Sequence, residues 1–171
     1  MQPNILKLVL ALLGSGYFLS IAWDPLQGSF LDNVDLPIHE FGHLLFRPLG
    51  EFMMIAGGSL FQILMPAVFV AYFLWQRSFY SAAFTGLWIG QSLLNVWVYA
   101  ADAVKMQLVL TSGMTGSEGG FHDWNYMLTS LGLLGSTATV AGIIRFVGTA
   151  VILCCGGLAV YFSLYRADED Q

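Results

Sequence analysis

Long apolar runs separated by short polar segments are the main pattern along the chain. A helix that crosses a membrane needs about 17 to 25 mostly apolar residues, because the hydrocarbon layer is about 30 Å thick. Runs of this kind are predicted at residues 4–23, 59–75, 79–101 and 141–165. The pattern therefore predicts four membrane-spanning helices.

Two shorter segments have a helical pattern but carry polar residues that avoid lipid. The first is expected to begin near Asp35, which can cap a helix, with Pro37 in the first turn. It should end or kink at Arg47, because Pro48 disfavours helix in the residue before it. The second covers residues 122–134. Polar helices of this length are typical of short or re-entrant elements packed against protein.

The predicted fold class is all-α, a polytopic transmembrane helical bundle of four clear spans plus two short or re-entrant helices. Gly57 and Gly58 are expected to separate the first polar helix from the next span. Gly86 and Gly90 are spaced to permit close approach of another helix. If both polar helices are re-entrant, they begin on the same side of the membrane, whichever way the bundle is oriented.

Composition agrees with a membrane protein. Hydrophobic residues make up 57% of the chain and charged residues only 10%, whereas about 25% are charged in a typical soluble domain. We expect one integral membrane domain over residues 1–171, ending in a short acidic tail at 167–171. The six Lys and Arg residues form no basic patch, which argues against nucleic acid as a partner. The adjacent Cys154 and Cys155 are expected to pack between helices rather than to form a disulfide.

The first polar helix contains the motif His-Glu-Phe-Gly-His at residues 39–43. Residues four apart lie on one face of a helix, so His39 and His43 can hold one zinc ion through neutral imidazole nitrogens. Glu40 follows the first ligand and can act as the general base that takes a proton from water. Two of the three histidines in the chain belong to this motif, in a segment where ionisable groups are costly and usually functional. One zinc ion per chain is therefore predicted.

A catalytic zinc site usually has three protein ligands and one open position. His122 and Asp123 begin the second polar helix, on the same predicted side of the membrane as His39, and either can be the third ligand. Asp123 has a competing role as the helix N-cap. Glu51 is a weaker candidate because it follows a proline break.

Three polar residues of the third predicted span are candidates for orienting the histidines. Gln91, Asn95 and Asp102 are spaced four and seven residues apart and can share one helix stripe. Second-shell partners of this kind fix the orientation of zinc-binding imidazoles. Hydrogen bonding between helices is an equally good explanation of the same stripe.

With a distant aspartate that opens a later helix, the motif resembles the site-2 protease group of intramembrane zinc metalloproteases. The resemblance implies that His39, His43 and Asp123 bind zinc and that Glu40 is the general base. Gly57-Gly58-Ser59 and Gln62 loosely resemble the glycine-containing segment that follows the motif in that family. The family aspartate stands in Asn-Pro-Asp-Gly or Leu-Asp-Gly, whereas this chain has His-Asp-Trp-Asn, so His122 remains an alternative ligand.

The combination of HEFGH and HDWNY also resembles an uncharacterised family of small bacterial membrane proteins. That second resemblance implies location in a bacterial inner (cytoplasmic) membrane, and it implies no activity. Membrane lipids, and other membrane proteins as substrates or complex partners, are the partners expected of such a chain.

Two functions follow from these features. The first is a zinc-dependent intramembrane metallopeptidase that hydrolyses membrane-associated peptides. The alternative is a non-catalytic transmembrane subunit of a larger membrane complex with a structural or vestigial metal site. A structural zinc site is closed by four protein ligands, whereas a catalytic one keeps a position for water. Ion or metal transport is a weaker interpretation, because the recurring intramembrane charges and paired broken helices of transporters are missing from the sequence.

Overall fold

The computed structural model describes residues 4–165 and is helical over most of that range. The described part of the chain contains six α-helices: α1 Ile5–Trp23, α2 Asp32–Phe46, α3 Glu51–Trp75, α4 Phe79–Ala101, α5 Asp123–Ser130 and α6 Thr137–Leu164. Between residues 4 and 165 there is no strand, only one isolated bridge between Val109 and Thr115. The predicted all-α class is confirmed, while the acidic tail lies outside the described residues.

Among residues 4–165, three helices are long and apolar enough to cross a membrane. They are Ile5–Trp23, Glu51–Trp75 and Leu134–Leu164, with mean hydropathies of 1.9, 1.8 and 2.2. Large apolar side chains on the first and last point away from the protein; Leu13 is 68% exposed and Phe146 is 74% exposed. Exposed apolar surface of this extent is stable against lipid, which supports the predicted membrane class. The fourth predicted span, α4, has 23 residues but is not among the three, so it stays a prediction.

The α4 helix lies at the centre of the bundle and is the most extensively buried helix. It packs against α1, α3 and α6. A methyl group on Gly86 would lie 2.5 Å from Cys155 Sγ, and one on Gly90 would lie 2.5 Å from Ile152 Cγ1. The glycine spacing therefore permits close packing of α4 against α6, as predicted. Both cysteines are free thiols, and Cys155 fills the space over Gly86.

The predicted break at Gly57 and Gly58 is wrong, because α3 begins at Glu51 and continues through both glycines. Instead of forming a turn, Gly57 and Gly58 allow α2 to pack closely against α3. A methyl group on Gly42 of α2 would lie 2.3 Å from the carbonyl oxygen of Gly57. Two helix backbones in contact leave no space for side chains at the crossing, so glycine is required there despite its low helix propensity.

The α2 helix begins at Asp32, three residues before the predicted start. Asp35 is therefore inside the helix, where it is 1% exposed and accepts a hydrogen bond from Trp88 Nε1 at 2.8 Å. Pro37 lies in the second turn rather than the first. The predicted end is confirmed, because α2 stops at Phe46 and a 3-10 turn over Arg47–Leu49 follows.

The second polar helix, α5, is shorter than the predicted 122–134 and covers Asp123–Ser130. Its N-cap is His122, whose Nδ1 accepts a hydrogen bond from the backbone N–H of Asn125 at 3.2 Å. The alternative that gave Asp123 the capping role is therefore wrong. Asp123 is the first helical residue, and its carboxylate is left available for other contacts.

Candidate metal centre

His39, His43 and Asp123 converge although 84 residues separate the first from the last. The two histidines project from successive turns of α2, and the aspartate lies at the start of α5. The Nε2 atoms of His39 and His43 lie 3.2 Å and 3.3 Å from Asp123 Oδ2. One ligand atom from each of the three residues lies within 4.8 Å of the others, so this group can hold a metal ion.

The other nitrogen of each imidazole has a hydrogen-bond partner that decides the tautomer. His43 Nδ1 lies 2.9 Å from the backbone carbonyl oxygen of Met54, which can only accept. His39 Nδ1 lies 3.2 Å from Gln62 Oε1, and Gln62 Nε2 donates to Asn95 Oδ1 at 2.8 Å. Both Nδ1 atoms are therefore assigned as donors. In a neutral imidazole this leaves the Nε2 lone pair free to bind a metal.

The donor set fits a metal ion. Two Nε2 lone pairs that face one carboxylate oxygen repel it unless protons or a cation lie between them. Tetrahedral zinc with bonds of about 2.0–2.1 Å separates its ligand atoms by about 3.3 Å, which agrees with the two distances to Asp123 Oδ2. Protonation of His43 Nε2 competes with metal binding, because the protonated ring donates a hydrogen bond to Asp123, which raises the pKa of His43. Burial opposes ionisation of the Asp123 carboxyl group, but the two adjacent histidines lower its pKa overall.

Gly58 lies on the face of α3 that packs against His39 and His43. A methyl group on this residue would lie 2.5 Å from His39 Nε2 and 2.7 Å from His43 Cε1. Gln62, one turn later on the same face, supplies the hydrogen bond to His39. Glycine therefore leaves the space in which the two imidazoles meet, and Gln62 holds one of them in orientation.

His122, the alternative third ligand, does not join the group. Its Nε2 atom lies 3.4 Å from Asp102 Oδ2, without the alignment of a hydrogen bond. Burial lowers the pKa of His122. The Asp102 carboxylate also accepts hydrogen bonds from the backbone N–H groups of Gln107 and Leu108. Asp102 therefore anchors the loop after α4. Of the two candidates for the third ligand, only Asp123 faces His39 and His43.

A cavity of about 610 Å³ opens beside the three converging residues. Glu40 is exposed and lines this cavity together with His39 and His43. The loop after α4 forms part of the wall, through residues 108–111. Glu51, the weaker acidic candidate, is exposed at the start of α3 and is not among the described lining residues. A carboxylate, the candidate metal ligands and space for a substrate thus share one cavity.

Of the three stripe residues, Asn95 connects to His39 through Gln62, whereas Asp102, at the C-cap of α4, lies beside His122. Gln91 instead donates to Asp32 Oδ1 at 2.8 Å and to Ser29 Oγ at 3.2 Å. The four-residue spacing of Gly58 and Gln62 is a sequence signal for a shared helix face. No sequence signal indicates that the Met54 carbonyl is the partner of His43, because this contact depends on how α2 crosses α3.

No protein-family model, no curated protein and no solved structure matches this chain. The functional interpretation depends on the geometry of His39, His43 and Asp123 and on the adjacent Glu40.

Replacing Gln62 by methionine is expected to lower the affinity of this group for a metal ion, with zinc as the probe, by about 10- to 100-fold, because His39 loses the partner that orients its ring. Methionine has a similar volume, so packing against α2 and α4 is retained. Affinity is measured by competition with a chromophoric chelator on purified protein. Gln91→Met is the matched control, since it removes hydrogen bonds to Ser29 and Asp32. Equal loss of affinity in both variants would contradict the role assigned to Gln62.

Proposed function

We propose that this protein is a zinc-dependent intramembrane metallopeptidase that hydrolyses membrane-associated peptides. The observation that carries the proposal is the convergence of His39, His43 and Asp123 beside Glu40 in one cavity. Two imidazoles and a carboxylate form a ligand set known from catalytic zinc sites. The resemblance of the motif to site-2 proteases points to the same chemistry.

A zinc ion in this site would polarise a substrate carbonyl and lower the pKa of water to about 7. Glu40 accepts the proton of the attacking water and later passes it to the leaving amine. His39, held by Gln62, and His43, held by the Met54 carbonyl, keep their Nε2 atoms directed at the same point. The substrate has to be unwound in the cavity, because a helical backbone shields its amide groups.

The membrane context defines the substrate class within this proposal. The three apolar helices and the exposed apolar surfaces of α1 and α6 support insertion in a lipid bilayer. We place α4 as a fourth span at the centre of the bundle, with its polar residues directed at protein rather than lipid. A bacterial inner membrane as the location, and other membrane proteins as substrates, complete the proposal.

The ligand count favours an enzyme over a non-catalytic subunit. A closed structural zinc site would use four protein ligands. His122, the nearest additional histidine in sequence, has its Nε2 atom at Asp102 instead. Three ligands next to a cavity of about 610 Å³ are the arrangement expected where a fourth position serves water or substrate.

The test is the substitution Glu40→Gln in protein purified into nanodiscs. We expect zinc content equal to that of the wild type, because Glu40 is not a ligand. Hydrolysis of membrane-associated peptides should fall by about 10²- to 10⁴-fold, the contribution of a general base. Zinc is measured by atomic emission, and cleavage is followed by mass spectrometry of a peptide library.

Glu51→Gln is the matched control, since it removes an exposed carboxylate outside the cavity. It should leave zinc content and cleavage unchanged. Zinc bound by a wild-type protein that cleaves no peptide would favour the non-catalytic subunit. A wild type that binds no zinc would reject both the peptidase and the structural zinc site.

A further inference from the structure

Tyr99 on α4 contacts the candidate metal centre through its hydroxyl group. The Tyr99 Oη atom accepts a hydrogen bond from the backbone N–H of Asp123 at 3.0 Å. The ring lies beside two histidines, with its centroid 6.0 Å from that of His39 and 4.4 Å from that of His122. Tyr99 also lines the cavity that contains Glu40. Its hydroxyl is thus held in place next to a ligand residue without being a ligand.

The proton of this hydroxyl is available for a bond to a substrate. A phenolic oxygen donates one hydrogen bond and accepts others, and it keeps its proton at neutral pH. The accepting role is filled by the Asp123 N–H. Among residues 4–165 no side chain or carbonyl accepts the Tyr99 proton in a hydrogen bond. The Asp123 N–H and the packing of the Tyr99 ring hold the Tyr99 Oη atom in place. The O–H group of Tyr99 remains available as a hydrogen-bond donor.

We propose that Tyr99 is a further catalytic residue, whose hydroxyl donates a hydrogen bond to the carbonyl oxygen of the scissile peptide. This inference rests on the proposed function. A bond forms between the water oxygen and the carbonyl carbon, and the carbonyl π electrons move onto its oxygen. Glu40 takes the water proton, while Tyr99 keeps its own proton and stabilises the negative oxygen. In the second step an electron pair of the negative oxygen re-forms the C=O bond, and the electrons of the C–N bond leave with the nitrogen. Glu40 protonates this leaving amine.

Pre-positioned donors act more strongly on the transition state than on the ground state, because the oxygen becomes charged only during the reaction. Tyr99→Phe removes the donor and retains the ring between His39 and His122. We expect kcat to fall by about 10²- to 10³-fold, the usual effect of losing one such donor. KM and zinc affinity should stay close to the wild-type values, while the thermal unfolding midpoint should fall slightly because the Asp123 N–H loses its acceptor.

A phosphinic peptide supplies a measurement that does not depend on turnover. Its tetrahedral, negatively charged group resembles the transition state, so its affinity for Tyr99→Phe should fall by about the same factor as kcat. Affinity for the product peptide that carries the new amino terminus, which lacks this charged oxygen, should not change. Both affinities are measured by calorimetry in nanodiscs with zinc-loaded protein.

Tyr17→Phe is the matched control, because the Tyr17 hydroxyl also accepts a backbone N–H, that of Phe30, at 3.3 Å. It should leave kcat and phosphinic peptide affinity unchanged. Unchanged values in Tyr99→Phe, beside an active wild type, would overturn the role of Tyr99 alone. Loss of zinc from Tyr99→Phe would also overturn it, since the hydroxyl would then only position Asp123. A zinc-loaded wild type that neither cleaves peptides nor binds the phosphinic peptide would overturn the proposed function and this inference together.

Discussion

Replacing Gly58 by alanine is expected to lower affinity for the proposed zinc ion by at least about 100-fold and to abolish the proposed peptide cleavage. The added methyl group would lie 2.5 Å from His39 Nε2 and 2.7 Å from His43 Cε1, well inside van der Waals contact. His39 is held from its other side by Gln62, so its ring can move only by losing that bond. The displaced imidazoles would no longer direct their Nε2 atoms at Asp123. Loss of the partner that orients one ligand lowers metal affinity by about 10- to 100-fold. In Gly58→Ala both His39 and His43 are displaced.

The helices themselves should survive this change, because side chains rather than backbone atoms oppose the new methyl group. Zinc content and circular dichroism are therefore measured on the same samples. Gly157→Ala is the matched control, since a methyl group there meets no atom within 4 Å. Zinc bound by Gly58→Ala at wild-type affinity would show that the imidazoles do not meet against α3 as described.

Replacing Gly42 by alanine is expected to destabilise the fold by about 3 kcal/mol or more. Its methyl group would lie 2.3 Å from the carbonyl oxygen of Gly57 and 2.8 Å from Phe61 Cβ. A backbone carbonyl inside a helix cannot rotate away, so α2 must separate from α3 along the crossing. Overpacking usually costs about 1–3 kcal/mol, and a contact between two backbones belongs at the upper end of that range or above it.

The free energy of unfolding is measured by denaturant titration in micelles that allow reversible folding. Gly142→Ala is the control, because a methyl group there meets nothing within 4 Å. In a helix interior such a change is expected to stabilise by about 0.5–1 kcal/mol. The changes in the free energy of unfolding should thus have opposite signs in Gly42→Ala and Gly142→Ala. A neutral Gly42→Ala would contradict the close crossing of α2 and α3.

Helical features that depend on neighbouring residues could be predicted from the sequence. Apolar runs of sufficient length indicated helices near residues 4–23, 79–101 and 141–165, and the structure has helices there. Pro48 indicated the end of α2, because a proline restricts the residue before it. Gly86 and Gly90 indicated a close helix contact. Each of these conclusions uses only local geometry and periodicity.

Features that depend on packing were harder to predict. Gly57 and Gly58 look like a helix break when helix propensity alone is considered. In the structure, contact with α2 outweighs that weak preference, and α3 continues through them. The start of α2 was similarly misplaced, because Asp35 is buried against Trp88 rather than used as a cap. Tertiary contacts decided these boundaries.

By itself, the sequence determined that His39 and His43 share one helix face, because residues four apart are neighbours in any α-helix. It left open whether His122 or Asp123 would join them. Only the tertiary structure decided for Asp123, by using His122 as the N-cap of α5 and placing its Nε2 atom at Asp102. Local spacing follows from the geometry of one helix, whereas contacts across 84 residues depend on how all the helices pack together.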